Sequence, residues 1–272
     1  MFTSSLFIPY NRKVNHSFYP KYKIDQGEHD MKGRIHSIET CGAVDGPGLR
    51  YIVFTQGCPL RCKYCHNPDT WKLSDGKEMA TEELIADIVK YKSFMKSSNG
   101  GVTVSGGEPF MQPEFLKDLF MKCKQEGLHT TVDTSGYVDL NIADPILDYT
   151  DLALLDIKSY NKDVYQNLTG VSLDRTLKFA KHLEERGIPI WIRYVYVPNL
   201  TDNPEDIENL AKFLTTLNNV ERIDILPFHK MGEYKWEQLG YDYTLTDTKE
   251  PTVDETNAVV AIFKKYNLPI IG

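Results

Sequence analysis

The chain has 272 residues, 41% of them hydrophobic, and its 31 basic and 38 acidic side chains leave a formal charge of −7. That composition supports a sizeable core and lies well outside the disordered range. A net-acidic chain repels phosphate backbones, which excludes nucleic acid as a principal partner.

Residues 1–31 stand apart from the rest. Phe2, Phe7, Tyr10, Phe18, Tyr19 and Tyr22 lie among Lys, Asn and His with no helical or strand period. They read as an N-terminal extension of unknown order, without the apolar core and cleavage site of a secretory signal. Met31 stands where translation could itself begin. From there strand-like runs occupy 50–55, 101–105, 129–134, 151–157, 190–197 and 222–226, each rich in β-branched or aliphatic residues. Helical patterns fall between and after them at 81–95, 113–126, 173–186, 204–217 and 253–266, and the chain ends in the apolar run 268–271. Pro113 and Pro204 suit first turns, and Gly127 and Gly187 suit helix ends. The longest apolar run, 188–197, is too short to span a membrane and carries Arg193 in its middle.

Strands alternating with helices imply parallel strands joined by right-handed crossovers. Six of them predict an α/β fold built as a partial (β/α)6 TIM-like barrel, with a flat doubly wound sheet as the alternative. Residues 32–272 read as one domain, expected to be monomeric.

The five cysteines are Cys41, Cys58, Cys62, Cys65 and Cys123, an odd number with three inside eight positions. Without a secretory signal this pattern reads as metal binding in the cytoplasm, not as a disulfide framework. Cys58-Pro-Leu-Arg-Cys62-Lys-Tyr-Cys65 follows the first predicted strand, so three thiolates share one loop. Thiolates favour zinc or iron–sulfur centres. A [4Fe–4S] cube normally takes four ligands, and three leave one iron with an open position. A structural zinc site completed by His66 is the alternative, although such sites usually draw their ligands from two separated pairs.

Other candidates gather at predicted strand ends, the face that carries the chemistry in α/β barrels. Ser105-Gly106-Gly107-Glu108-Pro109 closes one strand, and paired glycines let backbone approach a ligand. Asp133-Thr134 closes the next, offering carboxylate and hydroxyl oxygens to a hard cation. In Asp156-Ile157-Lys158 the alternation places Asp156 and Lys158 on one face. His229 lies just past the sixth strand. Arg193, inside the fifth, points to either a core ion pair or a substrate contact. Cys123 reads as helix packing, and Cys41 receives no role.

The CxxxCxxC spacing, with Tyr64 before the last cysteine, resembles the hallmark of the radical S-adenosylmethionine family. Asp45-Gly-Pro-Gly-Leu-Arg50 through Phe54, Gly57 and Cys58 resembles the signature of its glycyl-radical-enzyme activating proteins. The resemblance runs from about residue 32 to the end. It implies a [4Fe–4S] cluster on Cys58, Cys62 and Cys65, the catalytic centre, whose fourth iron binds S-adenosylmethionine. It also implies cosubstrate contacts from Gly106, Gly107, Glu108, Asp156, Ile157 and Lys158, and nucleoside contacts from Tyr64, His66 and His229. Asp133 and Thr134 would hold a monovalent cation. No cysteine lies between Cys65 and Gly106, whereas many such activators carry a cysteine-rich insert there. That absence points to pyruvate formate-lyase (formate C-acetyltransferase) as the protein substrate, and the resemblance alone implies flavodoxin or ferredoxin as reductant. A different glycyl-radical enzyme, a small-molecule substrate and a non-enzymatic zinc module are the competing readings.

Overall fold

The computed structural model describes residues 31–271. Apart from Met31, the extension expected over residues 1–31 lies outside them.

Among the described residues nine strands form a single sheet: β1 (Lys32–Gly42), β2 (Arg50–Thr55), β3 (Lys77–Ala80), β4 (Gly101–Gly106), β5 (His129–Thr134), β6 (Leu152–Asp156), β7 (Ile190–Tyr196), β8 (Val220–Pro227) and β9 (Ile270–Ile271). Their order is β3-β1-β2-β4-β5-β6-β7-β8-β9. The six strands expected from sequence are β2 and β4 to β8, and each pairs in parallel with the next. The edge strands β3 and β9 do not join, so the barrel is partial. Two antiparallel additions, β1 on β2 and β3 on β1, extend one edge beyond the expected architecture.

Nine helices among the described residues fill the crossovers and the C-terminal region: α1 (Thr81–Ile88), α2 (Lys92–Ser97), α3 (Pro113–Gln125), α4 (Leu140–Leu147), α5 (Lys162–Thr169), α6 (Asp174–Glu185), α7 (Pro204–Leu214), α8 (Glu233–Gln238) and α9 (Val253–Lys264). The helix expected over 81–95 is interrupted by a 3-10 turn at Val89–Tyr91. Local chemistry sets several starts. Asn203 accepts from the backbone of Glu205 and Asp206 ahead of α7, with Pro204 at the first position. Thr252 and Glu255 form a reciprocal capping box on α9.

The strand alternation divides the molecule into two layers. Val102, Val104, Val132, Ala153 and Leu155 face outward into one core with Phe115, Leu116, Leu119 and Phe120 of α3. Burying each such side chain stabilises the fold by about 1.5–3 kcal/mol. The alternate positions face inward and are largely polar: Thr103, Ser105, Thr131, Asp133, Asp156 and Arg193. Closed barrels of this class fill that space with branched aliphatics. Here a fully buried Arg50 occupies one level of it, in register with Gly101 and His129 at the strands' N-terminal ends. Its guanidinium donates to Thr103 Oγ1 at 2.9 Å and Thr131 Oγ1 at 2.7 Å, and to the carbonyls of Val102 and Pro47. Burial pulls its pKa down to about 10. The opposite, C-terminal end of the interior stays open.

Candidate active site

That open end is a cavity of about 450 Å³. Cys58, Cys62 and Cys65 reach it from the loop after β2, Gly106 and Gly107 from the end of β4, and Asp133 and Thr134 from β5. Asp156 and Lys158 come from β6, Arg193 from β7 and His229 from the segment after β8, while Tyr64 and His66 flank Cys65. Two expected residues do not line it. Ile157 is fully buried in the outer core, as its place between Asp156 and Lys158 requires. Glu108 turns away: its Oε1 accepts from Thr134 Oγ1 at 2.7 Å, and its Oε2 from Ser135 N at 3.0 Å and Ser135 Oγ at 2.5 Å. Glu108 therefore braces the turn after β4 against the turn after β5. Burial raises its pKa, against the pull of those four donated contacts with Ser135, Thr134 and Phe110.

The cysteine loop is fastened largely through its own backbone. Gly57 N donates to Thr70 O at 2.7 Å, Cys58 N to Trp71 O at 3.2 Å and Cys65 N to Cys62 O at 3.0 Å. Arg61 N and Lys63 N donate to Thr169 O and Leu168 O at the end of α5. From α8, Trp236 Nε1 donates to Cys65 O at 2.8 Å. Gly107 lies so close to this loop that a Cβ there would meet Gly57 O at 2.2 Å, and Gly106 sits at φ +107°. Paired glycines are thus a steric requirement of bringing the β4 turn against the cysteine loop. All five cysteines are free thiols. Burial pushes the Cys62 thiol up to about 12, opposed by Lys158, and raises Cys58 and Cys65 as well.

Charged groups cover the cavity floor. Lys158 Nζ pairs with Asp156 Oδ2 at 2.8 Å and stands 5.5 Å from the Tyr64 ring centre. Burial disfavours the Asp156 carboxylate, yet Lys158 and then Arg193 outweigh it and hold its pKa below the usual range. Arg193 Nη1 approaches Asp133 Oδ2 at 3.0 Å and Asp45 Oδ1 at 3.8 Å. Ser105 Oγ donates to the same Asp133 oxygen at 2.6 Å. Burial still raises the Asp133 pKa, because Asp156 and Asp45 add like charge to what Arg193 compensates. Three carboxylates thus face two cations, a local excess of one negative charge. Asp45 was not singled out individually by sequence reasoning; its partner Arg193 lies 148 positions away, and no local pattern links them.

His66 and His229 stack with ring centres 4.2 Å apart and 29° between planes. His66 Nε2 lies 3.1 Å from His229 O, so that nitrogen carries the proton. Two buried polar atoms on the wall, Tyr64 Oη and His229 Nδ1, have no partner among the described residues. Unpaired buried polar atoms are costly and suit a ligand or water as their partner. The donor set suits a sulfur-ligated cluster with a polar cosubstrate beside it. Among the described residues no three His, Cys, Asp or Glu side chains are grouped to hold a single metal ion.

The Radical SAM superfamily is the class that this fold and cysteine-lined cavity define, and its family model matches residues 52–214. The chain is 47% identical over 236 residues to pyruvate formate-lyase 1-activating enzyme of Escherichia coli K12, covering 86% of this chain and 96% of that protein. It is 50% identical over 217 residues to the pyruvate formate-lyase-activating enzyme of Clostridium pasteurianum, covering 80% and 91%. Among solved structures, a domain of such an enzyme from Bacteroides vulgatus superposes with a TM-score of 0.54 at 28% identity, covering 63% of this chain and 98% of that one. The chain belongs to the pyruvate formate-lyase-activating enzymes. Membership of the superfamily implies an iron–sulfur cluster and S-adenosylmethionine. Among the described residues no helix is long and apolar enough to cross a membrane.

Proposed function

We propose that this chain activates pyruvate formate-lyase, holding a [4Fe–4S] cluster on Cys58, Cys62 and Cys65. When bound, cluster and cosubstrate supply one-electron cleavage of S-adenosylmethionine to methionine and a 5′-deoxyadenosyl radical, which takes a hydrogen from a backbone glycine of the protein substrate. The observation that carries this reading is the meeting, at one cavity mouth, of three free thiols, a Cβ-free turn and a buried Lys–Asp pair.

Each wall has its task. Gly106 and Gly107 expose backbone beside the cysteine loop, suited to the methionine ammonium. Lys158 offers a charge-assisted hydrogen bond to the methionine carboxylate. His229 Nδ1 and Tyr64 Oη, both unpartnered, together with His66, suit the nucleoside. The excess negative charge around Asp133 suits the cationic cosubstrate or a monovalent cation, and Thr134 Oγ1 retains a lone pair after accepting from Gly136 N. Glu108 and Ile157 act behind the wall, as strut and packing. A flavodoxin or ferredoxin serves as reductant, and the enzyme works as a cytoplasmic monomer.

The test mixes anaerobic reconstituted protein with pyruvate formate-lyase, S-adenosylmethionine and a reductant. Electron paramagnetic resonance then seeks a glycyl-radical doublet while 5′-deoxyadenosine is assayed by chromatography. The doublet is expected. Deoxyadenosine without it assigns a different substrate, and neither product from an intact, reducible cluster refutes the reading.

A further inference from the structure

After β8 the chain crosses the exit of the cysteine loop as a strap, residues 228–236, that ends inside α8. Its base is apolar: Phe228 and Trp236 are buried with Tyr64, Leu168 and Val197 in a cluster of their own. Polar ties then join the strap to consecutive residues of the loop. Trp236 Nε1 donates to Cys65 O at 2.8 Å, His66 Nε2 to His229 O at 3.1 Å, and Lys235 Nζ to Asn67 Oδ1 at 2.8 Å. The same ammonium reaches both oxygens of Asp69, at 3.0 and 3.3 Å. Gly232 makes the close fit possible, because a Cβ there would meet the His66 Cα at 2.6 Å.

Asp69 is itself a junction. His36 Nε2, on β1, lies 2.8 Å from its Oδ2, and Gln56 Nε2, ahead of the cysteine loop, donates to its carbonyl at 2.6 Å. Asp69 and Lys235 are 30% and 20% exposed, and an isolated ion pair so placed adds little to stability. Its geometry matters more than its energy. Asn67 lines the cavity and Lys235 does not. An ammonium only donates, so the amide oxygen of Asn67 faces Lys235 and its amide hydrogens are left to other partners. Apolar packing is non-directional, and sets no register between strap and loop; the hydrogen bonds of Lys235 do. We infer that Lys235 is a positioning residue for cosubstrate binding. Through Asn67 and Asp69 it locks the strap that carries His229 onto the loop exit that carries His66. The two stacked rings then stand in place before S-adenosylmethionine arrives. This role rests on the nucleoside contacts proposed above for His66 and His229.

The experiment is a steady-state assay of 5′-deoxyadenosine formation by the anaerobic reconstituted holoenzyme under excess chemical reductant, with S-adenosylmethionine varied. Lys235→Met keeps the stem and removes the donors. Side chains freed in the empty site must be ordered again on binding, and ordering two of them weakens affinity about 5- to 30-fold. The half-saturating concentration should rise by that factor. The rate at saturation should stay at the wild-type value, because Lys235 touches no reacting atom. An unchanged half-saturating concentration, at equal iron and sulfide content, overturns the inference, as does a fall in the saturated rate alone. Where Lys235→Met loads less iron, Asp69→Asn takes its place: it keeps the side-chain size and removes the charge that holds Lys235. Wild-type half-saturation in that variant likewise overturns the inference. Wild-type protein that assembles a cluster yet never cleaves S-adenosylmethionine would instead remove the proposed function on which the inference stands.

Discussion

Lys158→Met tests the cavity floor most directly, because methionine keeps most of the side-chain stem and removes only the charge. Lys158 is 9% exposed, and its ammonium is paired with Asp156 at 2.8 Å. Deleting one partner of a buried pair costs about 3–5 kcal/mol, because the other charge is left uncompensated. Asp156 still faces Arg193 and one side of the cavity is open, which reduces the expected loss to about 2 kcal/mol. The pH dependence has a definite sign. In the wild type the Asp156 pKa is depressed below its ordinary 3.8, so its contribution is complete above about pH 4 and is lost as pH falls through the folded value. The gap between wild type and variant should therefore be full at neutral pH and close in acid. Urea denaturation of the two apoproteins at several pH values measures it. The ligand role is read separately, by titrating S-adenosylmethionine into reconstituted protein. Loss of a hydrogen bond to a charged group, about 1.5–3 kcal/mol, predicts affinity about 10- to 150-fold weaker. A variant that loses stability yet binds with wild-type affinity would show that Lys158 serves Asp156 alone. Unchanged stability as well would refute the account of the buried pair.

Cys62→Ala should abolish 5′-deoxyadenosine formation while leaving the circular dichroism spectrum intact, since the loop is held by backbone bonds; normal cleavage would remove Cys62 from the cluster. Gly107→Ala would drive a Cβ into Gly57 O, and overpacking of this kind costs about 1–3 kcal/mol. Iron content after reconstitution should fall as the cysteine loop shifts, and full loading would show that the close approach is not needed. His129, half-buried beside Arg50, has its pKa lowered to about 4 by loss of solvent and then by that guanidinium. Its neutral form costs nothing above the unfolded value of 6.5, and stability is lost as pH falls from there toward 4, by about 3 kcal/mol at the limit. His129→Gln should flatten the denaturation midpoint over that window; an equally steep profile would place the titration elsewhere.

The six parallel strands were legible because each is a short β-branched or aliphatic run, buried on its outward face against helices. β1 was not. Its residues, Lys-Gly-Arg-Ile-His-Ser-Ile-Glu-Thr-Cys-Gly, are mostly polar, and only pairing with β2 and β3 gives it an extended form. The helices α4, α5 and α8 span 8, 8 and 6 residues. Segments that short have little helical stability of their own and depend on tertiary packing. At the site, motif position predicted membership of the cavity well for residues whose direction the strand alternation fixes, such as Asp156 and Lys158. It failed for Glu108, which follows a glycine pair whose backbone freedom breaks any alternation. The contacts of Arg193 with Asp133 and Asp45, and of Trp236 with Cys65, join segments far apart in the sequence. Only the curvature of the sheet into a partial barrel reveals them.

The fastening of the cysteine loop has a consequence for the lifetime of the protein. In small zinc domains the metal is the fold, and removing it unfolds the chain. Here hydrogen bonds to the end of α5, from Trp236 of α8 and to the Thr70–Trp71 segment that follows the loop hold its backbone through contacts that involve no metal ligand. Loading iron and sulfide then becomes an exchange of protons for metal on a standing scaffold. Oxidative damage would strip the enzyme of an inorganic part and leave the polypeptide ready to be refilled, so recovery from a pulse of oxygen would call for cluster assembly and no new translation.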